Sequence, residues 1–259
     1  MTRTGTVNYH VHSDERQAYH IDAGGVSGKL ISPSHVVTDV CVRDVRLGEA
    51  SVSFSRDSVT FEHAPTQANI NREDETWRPV YDEELIGLLW RTLGVKEVIV
   101  FDHTVRVDDP QATRKPARNV HTDYSPEGAR RRLDDILGAP KAAEWARGHY
   151  AFINVWRPIG DPINSAPLGF VRPSTVPESD WVLIDLVYPD RIGHIMGLVA
   201  NDDHEWVYQS SMTPDEVAVF NIYDNRGLPS IGHSALDLVE REDVHTVRRS
   251  IESRTLVRY

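Results

Sequence analysis

With 259 residues, 40% of them hydrophobic and 26% charged, the chain can bury a sizeable core and has the composition of a globular protein. Its formal net charge of −11 argues against a nucleic-acid groove, which needs a basic footprint. Cys41 is the only cysteine, so no internal disulfide can form; residues 1–8 lack an apolar signal core, and no run reaches the roughly 18 apolar residues of a membrane span. The expectation is a cytoplasmic protein that meets neither nucleic acid nor membrane.

In chain order, short runs at 28–31, 35–40, 50–54 and 58–61 carry β-branched residues in near alternation and predict strands. Residues 66–78 are polar and predict a loop. A helix is expected over 82–93, where Leu85, Leu88 and Leu89 share one face and Gly94 stands at the C-cap. Residues 95–104 read as a buried strand, and the proline- and charge-rich stretch 106–118 as a loop. Ser125-Pro126 has the form of an N-cap followed by proline at the first helical position, leading a helix over 130–136, with another over 141–147. From Tyr150 the pattern is strand after strand: 150–156, 167–171, 181–187, 194–199, 205–208, 217–223, 231–236 and 248–257, broken by Pro, Gly, Asn and Asp. Eight short strands match a double-sheet jelly roll. The fold class is therefore mainly β with flanking helices, a cupin-like double-stranded β-helix. One domain is expected over 1–259, with an N-terminal β extension at 1–80 and the catalytic region at 81–259.

His121-Thr122-Asp123 places an imidazole and a carboxylate two residues apart, on one side of a strand. A late histidine, His233, follows several strands downstream. Two imidazoles and one carboxylate with open positions are the ligand set of non-haem Fe(II) oxygenases. With 12 histidines and 39 acidic residues in the chain, His-x-Asp alone is a weak signal; its order with the β block, His233 and Arg248-Arg249-Ser250 gives it weight. Arg248 offers a planar fork for a carboxylate, and Ser250, on the same strand face, adds a donor. That pair suits the distal carboxylate of 2-oxoglutarate. Candidate substrate contacts are Tyr124, Asn154, Trp156, Arg157 and Arg191, while Trp206 and Tyr208 either line a pocket or fill the core. A competing motif, Tyr9-His10-Val11-His12, has the His-x-His of zinc-dependent hydrolases. Those sites sit in alternating β/α barrels, which this pattern does not support, so a surface strand with two same-side histidines is the expectation there. His103 and His149 are read as structural.

Several longer segments resemble a family of secondary-metabolite oxygenases: Asn119-Val120-His121-Thr122-Asp123-Tyr124-Ser125-Pro126, Phe152-Ile153-Asn154-Val155-Trp156-Arg157-Pro158, Leu186-Val187-Tyr188-Pro189-Asp190-Arg191, Met212-Thr213-Pro214-Asp215-Glu216, His233-Ser234-Ala235, and Arg248 through Leu256. The family includes the fungal gibberellin desaturase, hydroxylase/desaturases of fungal gene clusters and a component of bacterial cephamycin methoxylation. The resemblance covers residues 80–259 and implies a dioxygenase using Fe(II), 2-oxoglutarate and O2. It matches His121, Asp123 and His233 to the metal positions and Arg248 and Ser250 to the cosubstrate seat, with Arg254 a second candidate on the same strand. The implied substrate is a small natural product or amino-acid-like molecule, undergoing hydroxylation, desaturation or oxidative cyclisation. A homodimer or a pathway partner enzyme is an open alternative. So is a non-catalytic accessory role, because the cephamycin system is associated with two components. Segments 229–232 and 235–243 depart from the family pattern, which leaves the substrate open.

Overall fold

The computed structural model describes residues 3–20, 33–70, 74–241, 243–244 and 246–259; the strand expected over 28–31 lies outside them. The early strands are β1 (Arg3–His10), β2 (Gln17–His20), β3 (His35–Asp44), β4 (Val59–His63), β5 (Glu97–Val107) and the two-residue β6 (His121–Thr122). The later block supplies β7 (Tyr150–Pro158), β8 (Leu168–Val171), β9 (Trp181–Val187), β10 (Ile192–Leu198), β11 (Trp206–Tyr208), β12 (Glu216–Asp224), β13 (Gly232–Ala235) and β14 (Arg249–Arg258). All eight strands expected beyond Tyr150 form. The larger sheet runs β1-β3-β11-β8-β13-β6-β10-β9-β2 and the smaller β4-β12-β7-β14-β5. The N-terminal strands are thus built into the same two sheets as the rest.

Strand parity explains the layering. In β7 the side chains of Phe152 and Trp156 join Phe170 of β8 and Phe220 of β12 in a core between the sheets. The alternate residues Ala151, Ile153 and Val155 pack instead with Leu85, Leu88 and Leu89 of the helix α2 (Arg78–Leu93; numbered after the single turn α1, Phe54–Asp57). Strand β7 is therefore buried on both faces. Each leucine so covered stabilises the fold by roughly 1.5–3 kcal/mol, which holds α2 on the smaller sheet more firmly than helix propensity could. A third cluster, including Tyr9, Val120, Val171 and Leu198, occupies the opposite face of the larger sheet.

Local signals set the element ends. Gly94 caps α2 in the left-handed region at φ 67°, and Pro79 opens the helix earlier than the 82–93 expectation. Helix α3 (Pro126–Leu137) starts where Ser125 Oγ accepts the Gly128 N–H at 3.0 Å, and α4 (Ala139–Arg147) follows after Gly138. The strand expected over 50–54 does not form: residues 50–53 are irregular and 54–57 make the single turn α1. The buried Asp57 carboxylate accepts the Ser53 N–H at 2.9 Å and pairs with Arg172 at 2.6 Å, which folds the segment back.

Candidate active site

Three short segments from separate parts of the chain build the site. Strand β6 lies between β13 and β10, so that His121 is the direct neighbour of His233 on one side and of Gly197 on the other. Directly paired residues point the same way, here into the space between the sheets. The His121 and His233 rings lie 4.6 Å apart. Asp123, one residue past β6, turns its Oδ1 to 3.6 Å from His121 Nε2. The three donors all lie within 4.8 Å of one another, and among the described residues no other group of three metal-ligating side chains converges in this way. Donors at about 2.1 Å from one ion and at right angles are roughly 3 Å apart, so a small closure fits the set around a divalent ion.

The chemistry of the donors fits as well. A carbonyl can only accept, so His121 Nδ1–H donates to the Asn119 carbonyl at 2.8 Å, and His233 Nδ1–H approaches the Ile231 carbonyl at 3.3 Å. Both contacts leave the Nε2 lone pairs free for a metal. Burial, helped by the neighbouring His233, pushes His121 down to about 4, and burial likewise lowers His233. Both imidazoles are therefore neutral near pH 7. Burial opposes ionisation of Asp123, but the Arg254 guanidinium, followed by the two imidazoles, overcomes it and holds the carboxyl below the ordinary range.

A cavity adjoins the triad, lined by His121, His233, Trp156, Leu168, Glu252, Arg106 and Arg248. Arg248 is 3% exposed, its Nη1 donates to the Ala166 carbonyl, its Nη2 lies 3.3 Å from Ser250 Oγ, and its guanidinium stacks over Trp156 at 5.2 Å. Both hydrogen-bonding partners are neutral, and Nε is buried with no acceptor among the described residues. Burial and then the neighbouring Arg106 push Arg248 down to about 9, which still leaves it charged at neutral pH. A buried cation beside a second guanidinium suits a small dianion. Arg106 carries no sequence signal of its own; only the pairing of β5 with β14, which sets Arg106 opposite Ser250, brings it here.

The remaining candidates disperse. Asn154 and Trp156 face the site, but Asn154 is bound to Asp123 and Trp156 to the cavity wall. Arg157 has the opposite parity: its Nε donates to Tyr81 Oη at 3.1 Å and its Nη1 to the Pro214 carbonyl, under α2 and away from the triad. Tyr124 packs on Phe152 at 4.9 Å. Arg191 is exposed, stacked 4.3 Å from the Tyr188 ring. Trp206 and Tyr208 belong to the core cluster of the larger sheet. All three nitrogens of Arg254 already donate, to Asp123, Asp102 and Glu252. His103 is held by Ser253 and Asp82, and His149 by Asp224.

The surface strand expected around His10 and His12 is corrected. β1 ends at His10, which is 1% exposed, whereas His12 is exposed; among the described residues no third ligand joins them. The His10 ring lies over Gly197, where an added Cβ would come within 2.4 Å of its Cδ2. Gly197→Ala is therefore expected to cost about 1–3 kcal/mol by overpacking, a fall of roughly 2–12 °C in Tm for a chain of this size. Thermal unfolding checks this, and an unchanged Tm would mean that the ring is free to move aside.

Comparison with known proteins agrees with this geometry. Residues 7–258 match the family model described as "Oxidoreductase/YMDC permease-like domain". The hydroxylase/desaturase EfuI of Hormonema carpetanum is 32% identical over 249 residues, covering 84% of this chain and 82% of EfuI. The alpha-ketoglutarate-dependent dioxygenase PhiK of a fungal species (strain ATCC 74256) is 26% identical over 238 residues, covering 85% of this chain and 82% of PhiK. Among solved structures, the iron and alpha-ketoglutarate-dependent endoperoxidase NvfI superposes with a TM-score of 0.87 at 22% identity, over 99% of this chain and 98% of NvfI. That likeness establishes the jelly-roll fold. By its family model and its relatives, the chain belongs to the oxidoreductase family that includes the hydroxylase/desaturase EfuI and the alpha-ketoglutarate-dependent dioxygenase PhiK.

Proposed function

We infer that the protein oxidises a carbon–hydrogen bond of a small natural-product or amino-acid-like substrate, with His121, Asp123 and His233 holding Fe(II) and Arg248 with Ser250 holding the distal carboxylate of 2-oxoglutarate. One observation carries this reading: two imidazoles and a carboxylate converge beside the cavity where Arg248 lies buried with neutral hydrogen-bonding partners. When bound, the iron supplies the oxidising chemistry, coupling conversion of 2-oxoglutarate and O2 to succinate and CO2 with substrate oxidation.

The chain's own residues supply position and enclosure. His121 and His233 present fixed tautomers, because each Nδ1–H is turned to a backbone carbonyl. Arg248 binds one end of the cosubstrate, and Trp156, stacked beneath its guanidinium, limits the space to a slim molecule. Trp156, Leu168 and the stacked core behind them keep water from the reacting groups. Whether oxidation ends as a hydroxylation, a desaturation or a ring closure depends on how the substrate is held. Among the described residues no helix is long and apolar enough to cross a membrane; a cytoplasmic site of action fits the single cysteine, and a homodimer or pathway partner fits the same scheme.

Anaerobic addition of 2-oxoglutarate to the Fe(II)-loaded protein is expected to produce a weak metal-to-ligand charge-transfer band in the green. Folded, iron-loaded protein without that band would overturn the reading.

A further inference from the structure

Asn154 and Arg254 face each other directly across β7 and β14, so their side chains leave the sheet on the same side. Both end on a single oxygen. Asn154 Nδ2 donates to Asp123 Oδ2 at 2.9 Å, and Arg254 Nε donates to the same atom at 2.9 Å. The other oxygen, Oδ1, is the one turned toward His121 Nε2. Arg254 cannot swing away easily: its Nη1 donates to Asp102 Oδ2 at 2.7 Å and its Nη2 to Glu252 Oε1 at 2.6 Å. Every nitrogen of the guanidinium is committed, so it presents no free fork to a cosubstrate.

We propose that Arg254 and Asn154 are positioning residues of the metal centre, which pin Asp123 Oδ2 so that Asp123 offers the metal one oxygen only. This rests on the triad being the iron site. The consequence is stoichiometric. An octahedral ion held by two imidazoles and one carboxylate oxygen keeps three positions for a chelating cosubstrate and O2. A carboxylate free to bind through both oxygens would occupy one of them. One charge-assisted donor and one amide donor on Oδ2 oppose that rotation.

The test uses the full chain with Arg254→Gln, Arg254→Lys and Asn154→Ala. Fe(II) affinity is measured anaerobically by chelator competition, and coordination number is read from the absorption spectrum of the Co(II)-loaded protein. Arg254→Gln is expected to weaken iron binding about 10- to 100-fold, Asn154→Ala to weaken it less, and Arg254→Lys to recover part of the loss. The Co(II) spectra of Arg254→Gln and Asn154→Ala should depart from wild type, while 2-oxoglutarate affinity at saturating iron stays the same. Wild-type iron affinity and Co(II) spectra in these variants, or a loss confined to 2-oxoglutarate, would overturn the proposal and make Arg254 structural or a cosubstrate anchor. Arg254 also ties β14 to β5 through Asp102, so each variant is melted alongside: Asp102→Asn, which weakens that tie but leaves the Arg254 and Asn154 donors to Asp123 in place, is expected to lower Tm with a smaller loss of iron affinity than Arg254→Gln. If Arg254→Gln does not fold, Asn154→Ala decides by the same readings. Failure of the underlying iron site would show separately, as iron retained by His121→Ala.

Discussion

His121→Ala or His233→Ala is expected to lower Fe(II) affinity by more than about 100-fold, exceeding what loss of a residue that merely supports a ligand costs, and to abolish 2-oxoglutarate turnover with it. Each imidazole is one of three donors, and an Ala side chain offers nothing in its place. The variants should still fold. Both rings line a cavity, and each hydrogen-bonds to a backbone carbonyl only two residues away in its own segment. Metal content after anaerobic loading and desalting, with a thermal melt alongside, separates loss of ligand from loss of fold. His12→Ala, at an exposed position past the end of β1, should leave iron content at the wild-type level. Iron retained by His121→Ala and lost from His12→Ala would move the metal to the N-terminal histidines.

Arg248→Ala is expected to weaken 2-oxoglutarate binding by about 30-fold or more, since truncating one side of a buried charge pair costs roughly 2–5 kcal/mol and each 1.4 kcal/mol is tenfold. Iron affinity should not change, because Arg248 touches none of the three ligands. The stability outcome is equally specific. Arg248 is a buried cation whose hydrogen-bonding partners are a carbonyl and a hydroxyl, and burial together with the opposing Arg106 outweighs the support of the Asp108 and Glu252 carboxylates. In the absence of a bound dianion such a charge destabilises the fold, so the variant should melt no lower than the wild-type apoprotein. Addition of 2-oxoglutarate with Zn(II) should raise the wild-type Tm and raise that of Arg248→Ala much less. Arg248→Lys keeps the charge but loses the planar fork, and should fall between the two. Unchanged 2-oxoglutarate affinity in Arg248→Ala would point to Arg106 as the anchor.

Much of this site follows from parity. Knowing only that 248–257 is a strand places Arg248 and Ser250 on one face, and the same rule extends that face to Glu252 and Arg254. Parity likewise separates Asn154 and Trp156 from Arg157, which lies on the α2 side of β7 and not with the substrate candidates. The run at 50–54 shows the limit of the rule. Alternation is necessary for a strand, but a strand also needs a neighbour to bond to. Here the buried Asp57 carboxylate, clamped by Arg172 from a distant segment, offers the backbone a turn instead.

By itself the sequence determined the mainly β class, the eight late strands, the caps at Ser125 and Gly94, and the three side chains able to form a metal face. The strands and caps depend on contacts within a few residues or on a two-residue period, and the three side chains on their order along the chain and the resemblance it carries. Only the tertiary structure decided what those side chains meet. The pairing of β6 with β13 sets His121 beside His233, the pairing of β7 with β14 turns Asn154 and Arg254 onto Asp123, and the pairing of β5 with β14 adds Arg106 to the cavity. The burial of His10 over Gly197 was settled in the same way. Such pairings join residues a hundred or more positions apart, and their register is fixed by the packing of whole sheet faces rather than by any local pattern.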